Sequence, residues 1–210
     1  MLNYIEKHFV VTRFLQIMRI DEIADIQMGY PFRSRLEPDP RGDVAVIQMK
    51  DIDDSNLLHA DKAIKVALPP SKSRHFLRPG DLLFRSRGRS NGAALVPTSI
   101  ALAVLSAPML LVRPHSVLPE YLCWFINTPT TQAQLAMLAE GTSVQMISAE
   151  SLKSLDIPLP SKGVQQRIAR VATLMEHEQE LLTQIAEQRR RLTTYMLMHQ
   201  ALQTEGKTVS

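Results

Sequence analysis

Residues 164–202 read VQQRIARVATLMEHEQELLTQIAEQRRRLTTYMLMHQAL. Apolar residues return at alternating four- and three-residue steps: Val164, Ile168, Val171 and Met175, then Leu182, Ile185, Leu192 and Met196. Leu174, Leu181, Tyr195 and Leu202 widen this stripe on one side, and Arg167, Arg170, Glu187 and Arg190 occupy the remaining face. No proline interrupts the run. A period near 3.5 held over about five heptads is the pattern of a helix that packs lengthwise on a similar helix. At about 1.5 Å rise per residue it is roughly 60 Å long. Glu178, Arg189 and His199 fall at or beside seam positions, where polar residues cost stability but fix register and orientation. The alternative is a helix buried on its own domain, yet globular helices usually stop well short of about 25 residues. The stretch predicts an interaction helix.

The 210 residues that contain it suit one domain of about 160 residues with an appendage, or two small domains. A hydrophobic content of 45% is enough for a core, but only 5% is aromatic, so aliphatic side chains and ten methionines must do most of the packing. The net charge of +3 permits a nucleic-acid partner without requiring one. A single cysteine, Cys123, allows no disulfide framework or thiolate metal site within one chain, which fits a reducing cytoplasm. Glu6, Lys7 and Arg13 break up the N-terminal apolar residues, so no secretory signal is expected. The uncharged window 91–112 is cut by Pro97 and Pro108 into short apolar runs; it reads as buried strands between turns, not as a membrane span.

Upstream of the long helix the order of local signals predicts an α+β fold. Residues 1–16 show no clear period and suit a short helix. Asp21 is placed to cap a short helix through Ile23 and Ala24, and Gly29-Tyr-Pro31 to make a turn. Strands are expected at 44–49, 63–68, 82–84, 93–96, 100–105 and 109–113, a spacing that suits a compact meander or barrel-like β core. Helices follow: Pro119 to Asn127, then a second opened by Thr128-Pro129 and closed by Gly141, then a short one at 148–153. Ile157-Pro-Leu-Pro160 reads as a stiff boundary before the long helix.

Between 72 and 89 six cations, Lys72, Arg74, Arg78, Arg85, Arg87 and Arg89, oppose only Asp81. In Arg85-Ser-Arg-Gly-Arg-Ser-Asn91 guanidinium groups alternate with small hydrogen-bonding residues. Arginine can fork onto the O6/N7 edge of guanine and Asn91 could pair with adenine, while Ser and Lys can meet phosphates. A solvated charged loop is the alternative. With Arg33 and Arg35, the residues Lys72, Arg74, Arg85, Arg87, Arg89 and Asn91 are the expected DNA contacts. Catalysis has little support. Pro38-Asp39 with Gln48-Met49-Lys50 faintly matches a nuclease metal site, but Gln48 stands where a second carboxylate is wanted. The six histidines form no helical ligand pair. No metal site, cofactor or catalytic residue is expected.

Taken together and in order, several motifs resemble the specificity (S) subunit of bacterial type I restriction–modification systems, over about residues 17–200. Ile20-Asp-Glu-Ile-Ala-Asp-Ile26 with Gly29-Tyr-Pro31 looks like the opening of a target-recognition domain. Val46-Ile-Gln-Met-Lys-Asp-Ile52 is similar to its central strand, and Pro79-Gly-Asp-Leu-Leu-Phe84 with Arg87-Gly88 to the family's Gly-Asp…Arg-Gly signature. Pro119-Glu-Tyr-Leu122, Gly141-Thr142 and Ile157-Pro-Leu-Pro160 with Gln166-Arg-Ile-Ala169 complete the series. Ser161-Lys-Gly-Val-Gln165 departs from it, since members usually carry an apolar residue and a Glu-Gln pair there.

The resemblance implies a DNA-binding, non-catalytic target-recognition domain at 1–160, with a mixed sheet and short helices. It is followed at 161–210 by a long spacer and dimerisation helix with a disordered tail. A full-length S subunit carries two of each, pairing its helices antiparallel; this chain shows one of each and so resembles a half subunit. The expected partners are double-stranded DNA, a second copy as homodimer through an antiparallel coiled coil, the methyltransferase (M) subunits and the restriction (R) subunit. Such a dimer would read a split palindrome. The competing readings are a freestanding metal-dependent DNA nuclease, and an S fragment that needs a different second half.

Overall fold

The computed structural model describes residues 16–33, 35–68, 75–88, 91–139 and 146–205. Residues 1–15 of the expected helix in 1–16 and the closing role of Gly141 lie outside these residues, and Gln16 begins a strand. By its contacts the chain divides into two compact units, Met1–Gln166 and Arg167–Ser210.

The first unit is built on three small sheets. Strand β1 (Gln16–Arg19) pairs antiparallel with β9 (Asp156–Leu159). The four-stranded sheet runs in the order β2 (Ala24–Met28), β8 (Leu110–Pro114), β5 (Leu82–Phe84), β6 (Ala93–Leu95). The three-stranded sheet has β3 (Val44–Ile47) between β4 (Ile64–Val66) and β7 (Ala103–Leu105), and β3 runs parallel to β7. The main core lies where two sheets face each other. Leu83, Ala94 and Leu111 come from one; Ala45, Ile47, Ala103 and Leu105 from the other. Every residue of Leu82-Leu83-Phe84 is buried, so this short uniform apolar run is a strand covered on both faces.

The strand positions follow the sequence reading closely, but their pairing does not follow a meander. Non-local pairs dominate: Ala24 meets Pro114 and Ala45 meets Ala103. The expected helix from Asp21 is also corrected. Ile20–Glu22 makes one 3-10 turn, tied by the Arg19 N–H to the Glu22 carboxylate at 3.0 Å, and Ala24 already begins β2. Ile20 and Ile23 are fully buried, and the Ala24–Met28 strand finds its hydrogen bonds on β8. Ile157-Pro-Leu-Pro160 is likewise part of a strand, not merely a boundary. Pro158 lies opposite Ile17 in a two-stranded sheet, where a strand can lack an N–H donor without cost to a second neighbour.

Helix α1 (Pro119–Asn127) packs on β6, and α2 (Pro129–Met137) follows after Thr128, whose hydroxyl accepts the Thr131 N–H. Proline opens both helices, as the residue types require. Ser148 caps α3 (Ala149–Lys153) in the same way. The last helix, α4, runs Lys162–Glu205, 44 residues, about 66 Å. Its start is fixed by Gln165, which is buried. Gln165 Oε1 accepts the Leu118 N–H at 2.9 Å, and its Nε2 donates to the Pro160 carbonyl at 2.8 Å. One amide thus satisfies a donor at the start of α1 and an acceptor before α4.

Asp81 holds the centre of the first unit. It is 2% exposed and accepts from Arg113 Nε at 2.8 Å and Nη2 at 2.7 Å. It also closes the preceding turn by accepting the Arg78 N–H at 2.7 Å, while Gly80 supplies φ +85. Asp81→Ala leaves the Arg113 charge without its partner. Its expected cost is about 3–5 kcal/mol of unfolding free energy, read from urea denaturation of the whole chain; a loss below about 1 kcal/mol would contradict this role.

Candidate nucleic-acid interface

Two basic segments reach the surface of the first unit. In the first, Gly29 lies against the chain at Ser106, and a Cβ there would sit 2.7 Å from the Ser106 carbonyl carbon. The Gly29 N–H donates to Met109 and the Tyr30 N–H to Leu105, so Gly29-Tyr-Pro31 is an extended bridge and not the expected turn. Beyond it Phe32 and Leu36 pack onto Val44, Val46 and Val104, while Arg33 and Arg35 are exposed. Alternation along this short segment therefore sends apolar residues inward and arginines outward.

Both arginines line an open cleft of about 810 Å³ with Tyr30, Phe32, Leu68 and His75. Tyr30 stands edge-on to Phe32 at 4.7 Å and to His75 at 5.3 Å between ring centroids. Glu37 and Asp39 also border the cleft, so its charge is mixed. Asp39 is occupied by its own turn, accepting the Arg41 N–H at 2.9 Å.

The second segment is the loop after β5, and here the structure separates residues that looked alike. Arg85 is buried. It donates from Nη1 to the Asp53 carbonyl at 3.2 Å and from Nη2 to Asn56 Oδ1. Asn91 donates its amide to the Arg85 carbonyl at 3.1 Å, and Gln132 donates to the Asn91 carbonyl at 3.1 Å. Arg85 and Asn91, expected as DNA contacts, are thereby part of the loop's own scaffold. The reason is that the loop needs buried donors to satisfy the carbonyls where it meets the 53–57 turn. Arg87, by contrast, is exposed, and its backbone bridges to Met146. Lys72, Arg74 and Arg89 lie outside the described residues.

The 53–59 turn that receives Arg85 escaped sequence reasoning. Asn56 adopts φ +61, the left-handed region that Asn tolerates, and Gly92 lies so close that a Cβ would strike the Asn56 side chain. The Asp53-Asp-Ser-Asn56 sequence carries that turn signal. Burial pushes the Asp53 carboxyl up, but hydrogen bonds from His59 (2.8 Å) and from the Leu57 and Ser55 N–H groups outweigh it and leave it below its usual value. At the loop's other margin, Asn127 pairs with both the N–H and carbonyl of Ala93.

A unit of small sheets followed by a long helix is an architecture shared with known proteins. Residues 15–188 match the family described as the type I restriction modification DNA specificity domain, and the chain belongs to that family. Its ordered motifs had pointed there. The family's specificity subunits are the non-catalytic members of these systems.

The HindI specificity subunit of Haemophilus influenzae (strain ATCC 51907 / DSM 11121 / KW20 / Rd) is 29% identical over 147 residues, 68% of this chain and 32% of that protein. The fold is similar to that of the HsdS subunit from Thermoanaerobacter tengcongensis: TM-score 0.58, 21% identity, covering 78% of this chain and 37% of that one. A chain from a type I restriction–modification complex gives TM-score 0.63 at 18% identity, covering 86% and 43%. The S subunit from M. genitalium gives 0.56 at 17%, covering 87% and 45%. The chain spans about a third of the curated relative and less than half of each of these structures. Among the described residues no helix is long and apolar enough to cross a membrane.

Two measurements separate scaffold from surface. Arg85→Ala is expected to cost about 1–3 kcal/mol in denaturant titration, because buried acceptors lose their donor. Arg87→Ala should stay within about 0.5 kcal/mol of the parent. Titration gives the second check. A depressed carboxyl contributes stability that is complete above its unfolded value of 3.8 and disappears as pH falls through the lower folded one. The melting-temperature gap between the parent and Asp53→Asn should therefore be full at pH 6 and shrink below about 3.8; a gap that grows on acidification would show the opposite sign.

Proposed function

We propose that this protein is a non-catalytic DNA specificity subunit that works as a pair of identical chains. Each recognition unit would read one half of a split, palindromic site, and the α4 helices would join the pair antiparallel. The observation that carries the DNA role is the family match across residues 15–188. Support for pairing comes from α4 itself, where Val171, Leu174, Met175, Leu182, Ile185, Leu192, Tyr195 and Met196 are each about half exposed or more. An apolar stripe of that length is an association surface. Val164 and Ile168, at its start, are half-buried.

Arg33, Arg35 and Arg87 are the side chains assigned to DNA. They are exposed cations on backbone held by core packing or hydrogen bonds, which is the arrangement that lets a guanidinium fork onto a base edge or a phosphate. Methyltransferase subunits, and a restriction subunit for cleavage, would supply the chemistry at the site so marked. The pair then acts as a symmetric adaptor, with a two-fold axis matching a palindrome.

The test uses the helix as a spacer. Deleting one heptad, Leu182 to Gln188, keeps the apolar stripe in phase and shortens α4 by about 10 Å. At about 3.4 Å per base pair this is roughly three base pairs. Sites selected from random DNA, by the chain alone and with methyltransferase subunits, should keep their half-site sequences and lose about three base pairs of gap. An unchanged gap, or a target with no split, overturns the paired reading. A split target with unlike halves would indicate a different second half.

A further inference from the structure

The polar residues in the α4 stripe specify how two copies would align, an inference that rests on the self-pairing reading above. Along the four- and three-residue steps the seam runs Ile168, Val171, Met175, Glu178, Leu182, Ile185, Arg189, Leu192, Met196, His199. Glu178 and Arg189 are thus seam residues of opposite charge. Both are exposed, and neither takes part in an ion pair among the described residues. Arg189 borders a shallow groove with Leu181, Ile185 and Leu192, so its charge sits inside the apolar surface and not beside it.

We infer that two copies pair antiparallel in a single register, set by Glu178 of each copy lying against Arg189 of the other. The midpoint of Glu178 and Arg189 falls between Thr183 and Gln184. The midpoint of Lys162–Glu205 falls at the same place. The register that pairs the charges is therefore also the one that overlaps the two helices completely. In it the other layers from Val171 to Met196 are apolar on both sides, Leu182 against Ile185, Met175 against Leu192 and Val171 against Met196, while Ile168 meets His199 at each end. On the flank, Leu174 meets Tyr195 of the second copy, and no like charges face each other across the seam.

The alternatives each bury a charge badly. Sliding by one heptad sets Glu178 against Leu182 and Arg189 against Val171; sliding the other way sets them against Met196 and Ile185. A parallel pair sets Glu178 on Glu178 and Arg189 on Arg189. Removing a buried charge from its partner is strongly unfavourable, whereas the paired state roughly balances its desolvation. The two ion pairs therefore act by excluding other alignments, as polar seam residues do.

The experiment is charge reversal in the full chain, read by sedimentation and native mass spectrometry, with circular dichroism to confirm that helix content is kept. Glu178→Arg alone and Arg189→Glu alone should each raise the dimer dissociation constant by at least about tenfold. Mixing these two variants should give the heterodimer in preference to either homodimer, because both layers then pair Arg with Glu. The double variant, Glu178→Arg with Arg189→Glu, should recover the parent affinity. If the parent dimerises and neither single reversal weakens it, the register is overturned while self-pairing stands. If the parent stays monomeric at high micromolar concentration, self-pairing itself fails, and the register with it.

Discussion

The first unit depends on one buried ion pair. Asp81 lies at the foot of β5 and Arg113 near the end of β8, adjacent strands in the middle of the four-stranded sheet. Arg113 also donates to the Phe76 carbonyl at 3.0 Å, and the Asp81 hydrogen bond raises the guanidinium further above its ordinary value. The 76–81 stretch and β8 are thereby tied by one carboxylate–guanidinium pair. This explains why a Gly-Asp pair before an apolar run is so legible as a motif. Glycine makes the turn, aspartate closes it and neutralises the arginine, and the following residues enter the core. The motif is a piece of architecture, although it precedes a loop proposed to touch DNA.

Much of this was open to reading because it is local. The period of α4, the Thr128-Pro129 and Ser148 starts, and the short apolar strands are all written in neighbouring residues. What stayed hidden depends on partners distant in sequence. Nothing in Gln16–Arg19 indicates that it will pair with Asp156–Leu159, and two prolines argue against a strand there. The parallel contact of β3 with β7 is equally silent. The candidate interface divided the same way. Composition marked Arg85, Arg87 and Asn91 as equivalent, and only the fold shows that Arg85 and Asn91 face inward to Asp53, Asn56 and each other.

Gln165 shows how one neutral side chain can hold a joint. A carboxylate could accept the Leu118 N–H but could not donate to the Pro160 carbonyl. The amide does both, at 2.9 and 2.8 Å. Within the first unit, the first turn of α4 is thus held to Leu118 and Pro160 by a side chain that needs no charge and is insensitive to pH.

The clamped base of the loop after β5 has a consequence for how such a protein changes over generations. Arg85 and Ser86 enter the loop anchored to Asp53, Asn56 and Pro108, and Asn91 and Gly92 leave it anchored to Gln132 and Arg85. Arg87 is exposed between those anchors, so replacing it alters what the surface presents while the sheets beneath keep their stability. Mutation can then vary that surface without first passing through an unfolded intermediate. Selection acts on the exposed positions almost independently of the buried ones. A lineage under pressure from changing foreign DNA would be able to diversify there quickly, and a designer could randomise the same few positions with the scaffold left as it is.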